Sequence, residues 1–151
     1  MNEAAITNYI TSTFDGVRVV DAWGDKFFFY NPTQQEPDEV YLATLKSNDD
    51  DYDRFSNLSR DGIFRLNIGI GKETYQSLFG ERPSRHRAPE PSEPEHDFTV
   101  LDQLLPHPVY AHLYWVCVLN PSQATFEQVK NLLAEAYDLA VNKVEKRASR
   151  E

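Results

Sequence analysis

The apolar positions of this chain change period several times, and each change predicts an element. Residues 113–119 are continuously apolar: Leu113, Tyr114, Trp115, Val116, Cys117, Val118 and Leu119. Such a run of β-branched, aromatic and aliphatic side chains predicts a central strand covered on at least one face. Asn120, Pro121 and Ser122 stop it. The period then becomes three to four, through Phe126, Val129, Leu132, Leu133, Ala136, Tyr137, Ala140 and Val144, with Glu127, Lys130, Glu135 and Asp138 off the stripe. That pattern predicts a long amphipathic helix. Thr125 and Gln128 have the spacing of a capping box, which places the helix start near them. A stripe of this length must cover a sheet, so residues 110–144 are the stretch around which the fold is organised.

The N-terminal half alternates faster. Asn2 suits the cap of a first helix in which Ile6, Tyr9, Ile10, Thr13 and Phe14 share a face, and Asp15-Gly16 ends it. Residues 17–23 read as a strand, Gly24-Asp25 as a tight turn, and residues 26–30 as a second, aromatic strand, together a hairpin. Residues 40–45 make a third strand, and an acidic, solvated loop follows. In residues 63–68, Phe64, Leu66 and Ile68 alternate with Arg65 and Asn67, the signature of a half-exposed strand. Residues 72–79 predict a short helix with Tyr75, Leu78 and Phe79 turned inward and Gly80 at its end. Residues 81–97 hold four prolines, three arginines, two histidines and almost no apolar side chain, which predicts a long mobile loop. Phe98, Leu101, Leu104 and Leu105 suggest a brief helical turn before Pro106, and the chain past Val144 should fray. The whole reads as one α+β domain over residues 1–151: two layers, an antiparallel sheet covered on one side by helices.

Charge narrows the partners. A formal net charge of −9 disfavours non-specific binding to nucleic acid or anionic membrane. The single cysteine, Cys117, falls in the predicted strand, where it reads as a small buried hydrophobe. The N-terminal residues lack a basic region followed by an apolar core, and no apolar run approaches a membrane span, so the expected setting is the cytoplasm, with no membrane contact.

Residues 115–120 followed by 126–143 resemble the C-terminal half of the MmcQ/YjbR-like proteins, in which a Trp-containing strand feeds a helix. Residues 21–30, 64–69 and 105–110 resemble, across nearly the whole chain, a bacterial family catalogued only as a domain of unknown function. The resemblance implies a two-layer α+β fold with an antiparallel sheet and helices on one side, and it implies no established activity. The YjbR-like proteins often carry a DNA-binding label. This chain is acidic and shows no basic recognition helix, so DNA binding through Arg82, Arg85, Arg87 and the tail bearing Lys143, Lys146, Arg147 and Arg150 is the alternative reading here.

Candidate chemistry is sparse. Gly69-Ile70-Gly71-Lys72-Glu73-Thr74 has glycines before a helix, but a Walker loop would need glycine at Leu66 and a hydroxyl at Glu73, and a dinucleotide fingerprint a third glycine at Thr74. It reads as a strand-to-helix turn with a solvated Lys72. Residues 49–53 begin like a calcium loop, yet Arg54 and Arg60 stand where glycine and glutamate belong. His107 and His112 lie five apart, and no histidine pair has the helical spacing of a zinc enzyme. No glycine-flanked nucleophile elbow occurs. The sequence therefore names no catalytic residue, no metal ligand and no cofactor, and it points away from an enzyme. What remains is Arg65 and Asn67 on one strand face, with Trp23, Asp25, His107, Tyr110 and Trp115 on segments that can neighbour it. A planar donor fork, neutral polar groups and flat aromatic walls are what a small polar ligand pocket uses. The expected function is a non-enzymatic module for a small molecule or protein partner, with Arg65→Ala and Asn67→Ala expected to spare the fold.

Overall fold

The computed structural model describes residues 1–35, 37–83 and 96–149. Its frame is a six-stranded antiparallel sheet in the order β1-β2-β3-β4-β6-β5. The strands are β1 (Val17–Ala22), β2 (Asp25–Tyr30), β3 (Tyr41–Lys46), β4 (Arg65–Gly69), β5 (Leu105–Pro106) and β6 (Trp115–Leu119). The helices are α1 (Glu3–Thr13), α2 (Lys72–Phe79) and α3 (Gln123–Ser149). This is the expected α+β architecture, with α3 packed across the sheet.

One face of the sheet is apolar by alternation. Antiparallel register sets Phe28 opposite Ala43, Ala43 opposite Ile68, and Leu66 and Ile68 opposite Val118 and Val116. Directly opposed residues project to the same side. Phe126, Val129, Leu133, Ala136 and Ala140 of α3 lie on that side with Ile6 and Ile10 of α1, all buried. Tyr9 meets Phe126 edge to face at 5.2 Å, joining the two helices. Asn2 caps α1 as anticipated, its Oδ1 accepting the Ala5 N–H at 2.8 Å.

Several boundaries move for identifiable reasons. The α3 cap is Ser122, whose Oγ accepts the Thr125 N–H at 3.2 Å, so the helix begins before the Thr125–Gln128 pair. At the other end it continues to Ser149 rather than fraying past Val144, and Arg147 reaches Glu39 at 2.6 Å. The last strand starts at Trp115 because the chain first makes a 3-10 turn, Ala111–Leu113, closed by Tyr114 at φ 68. The predicted helical turn before Pro106 is not helical: residues 98–99 make a turn, Leu101 forms an isolated bridge to Leu119, and only Leu105–Pro106 is strand, paired with Cys117 and Val116. Leu78 of α2 is exposed, while Tyr75 carries that helix's burial. Most of the expected mobile loop, residues 84–95, lies outside the described residues.

Gly71, just before α2, receives an anion from within the protein. Glu135 of α3 accepts the Gly71 N–H at 2.8 Å and the Thr74 hydroxyl at 2.5 Å. A carboxylate at a helix N-terminus satisfies otherwise orphaned donors and complements the helix dipole. The position read as a bare turn is therefore tied to the long helix.

The β1–β2 turn is Trp23-Gly24, one residue earlier than expected, with Ala22 facing Asp25. Both turn residues have positive φ, 54° and 81°, as a two-residue hairpin loop demands. Trp23 is 92 % exposed there and is a poor residue for that backbone. Trp23→Asn should raise stability by about 0.5–1 kcal/mol in a denaturant titration, because Asn tolerates positive φ. A loss of stability would show that the edge contact with Phe27, at 6.1 Å, outweighs the backbone strain.

Candidate functional site

The second face of the sheet is polar at its centre. Register places Lys46 opposite Arg65, Thr44 opposite Asn67, and Asn67 opposite Cys117, so these side chains share one side. Sequence alternation found Arg65 and Asn67 on a common face but took that face to be half exposed. Both are buried, Arg65 at 0 % and Asn67 at 3 % exposure.

The cover is the acidic loop between β3 and β4. Asp53 is folded inward, and Asp49 and Asp50 are used locally to close turns. Asp50 Oδ1 accepts the Tyr52 and Asp53 N–H groups at 2.8 Å each, and Asp49 Oδ1 accepts the Leu58 N–H at 2.9 Å. Leu58 and Ser56 are buried, and the Arg60 guanidinium stitches the loop to the Ser56, Asn57 and Thr99 carbonyls. The expectation of a solvated acidic loop therefore holds for the exposed Asp50 and Asp51 and fails for Asp53, which is buried. Side-chain oxygens closing turns on nearby N–H groups give a polar segment its own internal order.

That order delivers Asp53 onto Arg65. The two make a bidentate pair, Nη1 to Oδ1 at 3.1 Å and Nη2 to Oδ2. Arg65 Nη1 also donates to Ser56 Oγ at 2.9 Å, and Nε donates to Asn67 Oδ1 at 2.8 Å. Asn67 in turn donates to Thr44 Oγ1 at 2.9 Å. Beside this row, Lys46 bridges Asp50 at 2.5 Å and Asp25 at 3.4 Å. Burial pulls the Lys46 ammonium down, but the Asp50 and Asp25 carboxylates outweigh it and its pKa is raised. Asp25 is pushed up, its burial exceeding the pull of Lys46. Burial also lifts the Cys117 thiol to about 12, which keeps it protonated and inert.

His107 closes the row. Its ring is 5 % exposed, and Nδ1 accepts the backbone N–H groups of Val109 and Tyr110 at 3.0 Å each. Burial first, then the Arg65 and Lys46 cations, hold its pKa well below the ordinary imidazole value. The ring is neutral at physiological pH.

Above these groups lies a cavity of about 310 Å³. Its floor is Thr44, Lys46, Arg65, Asn67 and His107, and its walls include Phe27, Tyr41, Tyr110 and Trp115. Tyr41 joins the walls, with ring centroids 5.4 Å from Phe27 and 5.6 Å from Trp115. Trp115 is seated against Gly69, where a Cβ would lie 2.9 Å from the indole. Six residues singled out in the sequence, Arg65, Asn67, Asp25, His107, Tyr110 and Trp115, converge on this cavity. Trp23 does not; it sits on the hairpin tip. Sequence reasoning missed Asp53, Ser56, Lys46, Thr44, Tyr41 and Phe27. Thr44 and Lys46 alternate on β3 as Arg65 and Asn67 do on β4, a signal that needs the strand pairing to be read.

Of the basic residues considered for nucleic acid, Arg82 donates to the His112 carbonyl at 2.8 Å and lies over the Tyr114 ring, and Arg147 is paired with Glu39. Arg85, Arg87 and Arg150 fall outside the described residues. No helix among the described residues is long and apolar enough to cross a membrane.

A family model described as a family of unknown function (DUF6194) matches residues 1–149, and the chain belongs to that family. No curated protein and no solved structure matches it.

Proposed function

We propose that this member of a family of unknown function is a binding module whose ligand is a small molecule held in the cavity over β3, β4 and β6. One observation carries the reading: a cavity of about 310 Å³ has a floor of buried, mutually oriented polar groups and aromatic walls. That size and mixture are those of small-molecule sites, where a few polar groups fix orientation and rings supply contact area. Arg65, Asn67, Asp25, His107, Tyr110 and Trp115 are the binding residues, with Lys46, Thr44 and Tyr41 added to them. Trp23, far out on the hairpin tip, is left for a protein partner.

The same proposal includes the YjbR-like affinity, the bacterial origin and the cytoplasmic setting. It describes a binder rather than an enzyme, because the floor's cations are engaged by carboxylates and the chain's one cysteine, Cys117, is fully buried and held protonated. Nucleic-acid binding ranks below it, since Arg82 and Arg147 are already engaged within the chain.

The test is a thermal-shift screen of flat, polar small molecules. At least one class should raise the melting temperature, because a ligand that binds only the folded state stabilises it by mass action. Tyr41→Ala removes a partly exposed wall and should abolish the rise while leaving the ligand-free melt close to wild type. A screen without a hit, or an undiminished response in that variant, would sink the reading.

A further inference from the structure

The donors of the floor can be followed proton by proton. Arg65 has five N–H groups in a fixed fork. Nε–H goes to Asn67, the two on Nη1 go to Asp53 and Ser56, and one on Nη2 goes to Asp53. One N–H on Nη2 is left. The heavy atom beside it is His107 Nε2, at 3.5 Å.

That contact joins two donors. The lone pair of His107 Nδ1 faces the Val109 and Tyr110 N–H groups, so the single proton of the neutral ring sits on Nε2. Arginine has no acceptor to offer it. Among the described residues, no acceptor meets either N–H, although both side chains are buried. An unmatched buried donor is costly, and two whose nitrogens lie side by side call for an acceptor near both. Nitrogens 3.5 Å apart suit one oxygen lying within hydrogen-bond distance of both.

Charge decides what kind of oxygen. Lys46 and Arg65 face Asp25, Asp50 and Asp53 around this cavity, so the lining has no positive charge in surplus. A phosphate or carboxylate would enter against that balance, whereas an uncharged carbonyl would not. Tyr41, Tyr110 and Trp115 surround the rest of the volume with ring surface. Resting on the small-ligand reading above, we infer that His107 Nε2 and Arg65 Nη2 jointly donate to the neutral carbonyl oxygen of a flat, ring-shaped ligand.

His107→Asn separates the two jobs of the imidazole. The Asn Oδ1 can still accept the Val109 and Tyr110 N–H groups, as an Asx turn does, while the Nε2 donor is lost. Benzamide, benzoate and benzylamine serve as probes, supplying a neutral carbonyl, an anion and a cation on one ring. Nitrogen-15 spectra of the intact protein should show His107 protonated on Nε2. Benzamide should move that resonance and the Trp115 indole N–H together, and His107→Asn should weaken its binding by about fivefold or more, the worth of a neutral hydrogen bond. Proton occupancy at Nδ1 in the wild-type protein would overturn the assignment, whether or not the variant folds. So would tighter binding of benzoate or benzylamine than of benzamide. If benzamide moves Trp115 but binds His107→Asn equally well, the pocket stands and the carbonyl assignment falls. If none of the three moves Trp115, both fall.

Discussion

Arg65→Ala should lower stability by about 3–5 kcal/mol, the cost of leaving a buried charge without its partner. For a chain of this size that corresponds to a fall in melting temperature of about 6–20 °C. Arg65 is fully buried, and its fork satisfies Asp53, Ser56 and Asn67 at once. Removing it strands the Asp53 carboxylate, which is 7 % exposed, and frees the loop that covers the sheet. The view of Arg65 as a surface contact that can be truncated harmlessly is therefore replaced. The double variant Arg65→Ala/Asp53→Ala should cost clearly less than the two single losses added together, because neither leaves the other unpaired. Both costs are read from denaturant midpoints. Additive losses, or a single loss within about 0.5 kcal/mol of zero as at ordinary surface sites, would show that the pair does not hold the loop down.

Phe126→Ala should cost a comparable amount, about 3–5 kcal/mol, through a different mechanism. Its ring is fully buried under α3 and packs edge to face on Tyr9, so truncation opens a cavity where α1, α3 and the sheet meet. The loss should be global, with far-UV and tryptophan signals unfolding together. Phe126→Leu, which keeps most of the volume, should recover more than half of it. Equal losses for the two substitutions would mean that ring geometry, rather than filled volume, sets the stability there. The comparison also separates the two faces of the sheet: this face is held by volume, the other by the pairing of charges.

Period was enough to find most of the frame. The continuous run ending at Leu119 and the stripe from Phe126 to Ala140 each carry one unbroken signal, strand and then helix, because burial on a regular backbone repeats at that backbone's own period. Strict alternation at Phe64, Arg65, Leu66, Asn67 and Ile68 likewise put the two polar side chains on one face. Boundaries were less legible, since Ser122, Trp23 and Tyr114 end or begin elements through local hydrogen bonds and positive φ rather than through hydropathy.

What the sequence by itself determined, then, was the fold class and the placement of Arg65 with Asn67 on one strand face. Only the tertiary structure decided that the face is closed. The acidic residues 49–53 read as solvated because a charge is costly to bury alone. The Arg65 guanidinium that offsets Asp53 lies twelve residues along the chain, on the next strand. His107 is fixed to its own following backbone, but its Nε2 meets Arg65 Nη2 only because β6 lies between β4 and β5. Hydropathy records what one residue prefers. A pairing between distant charges, and the donors left over from it, arises only when the sheet brings them into register.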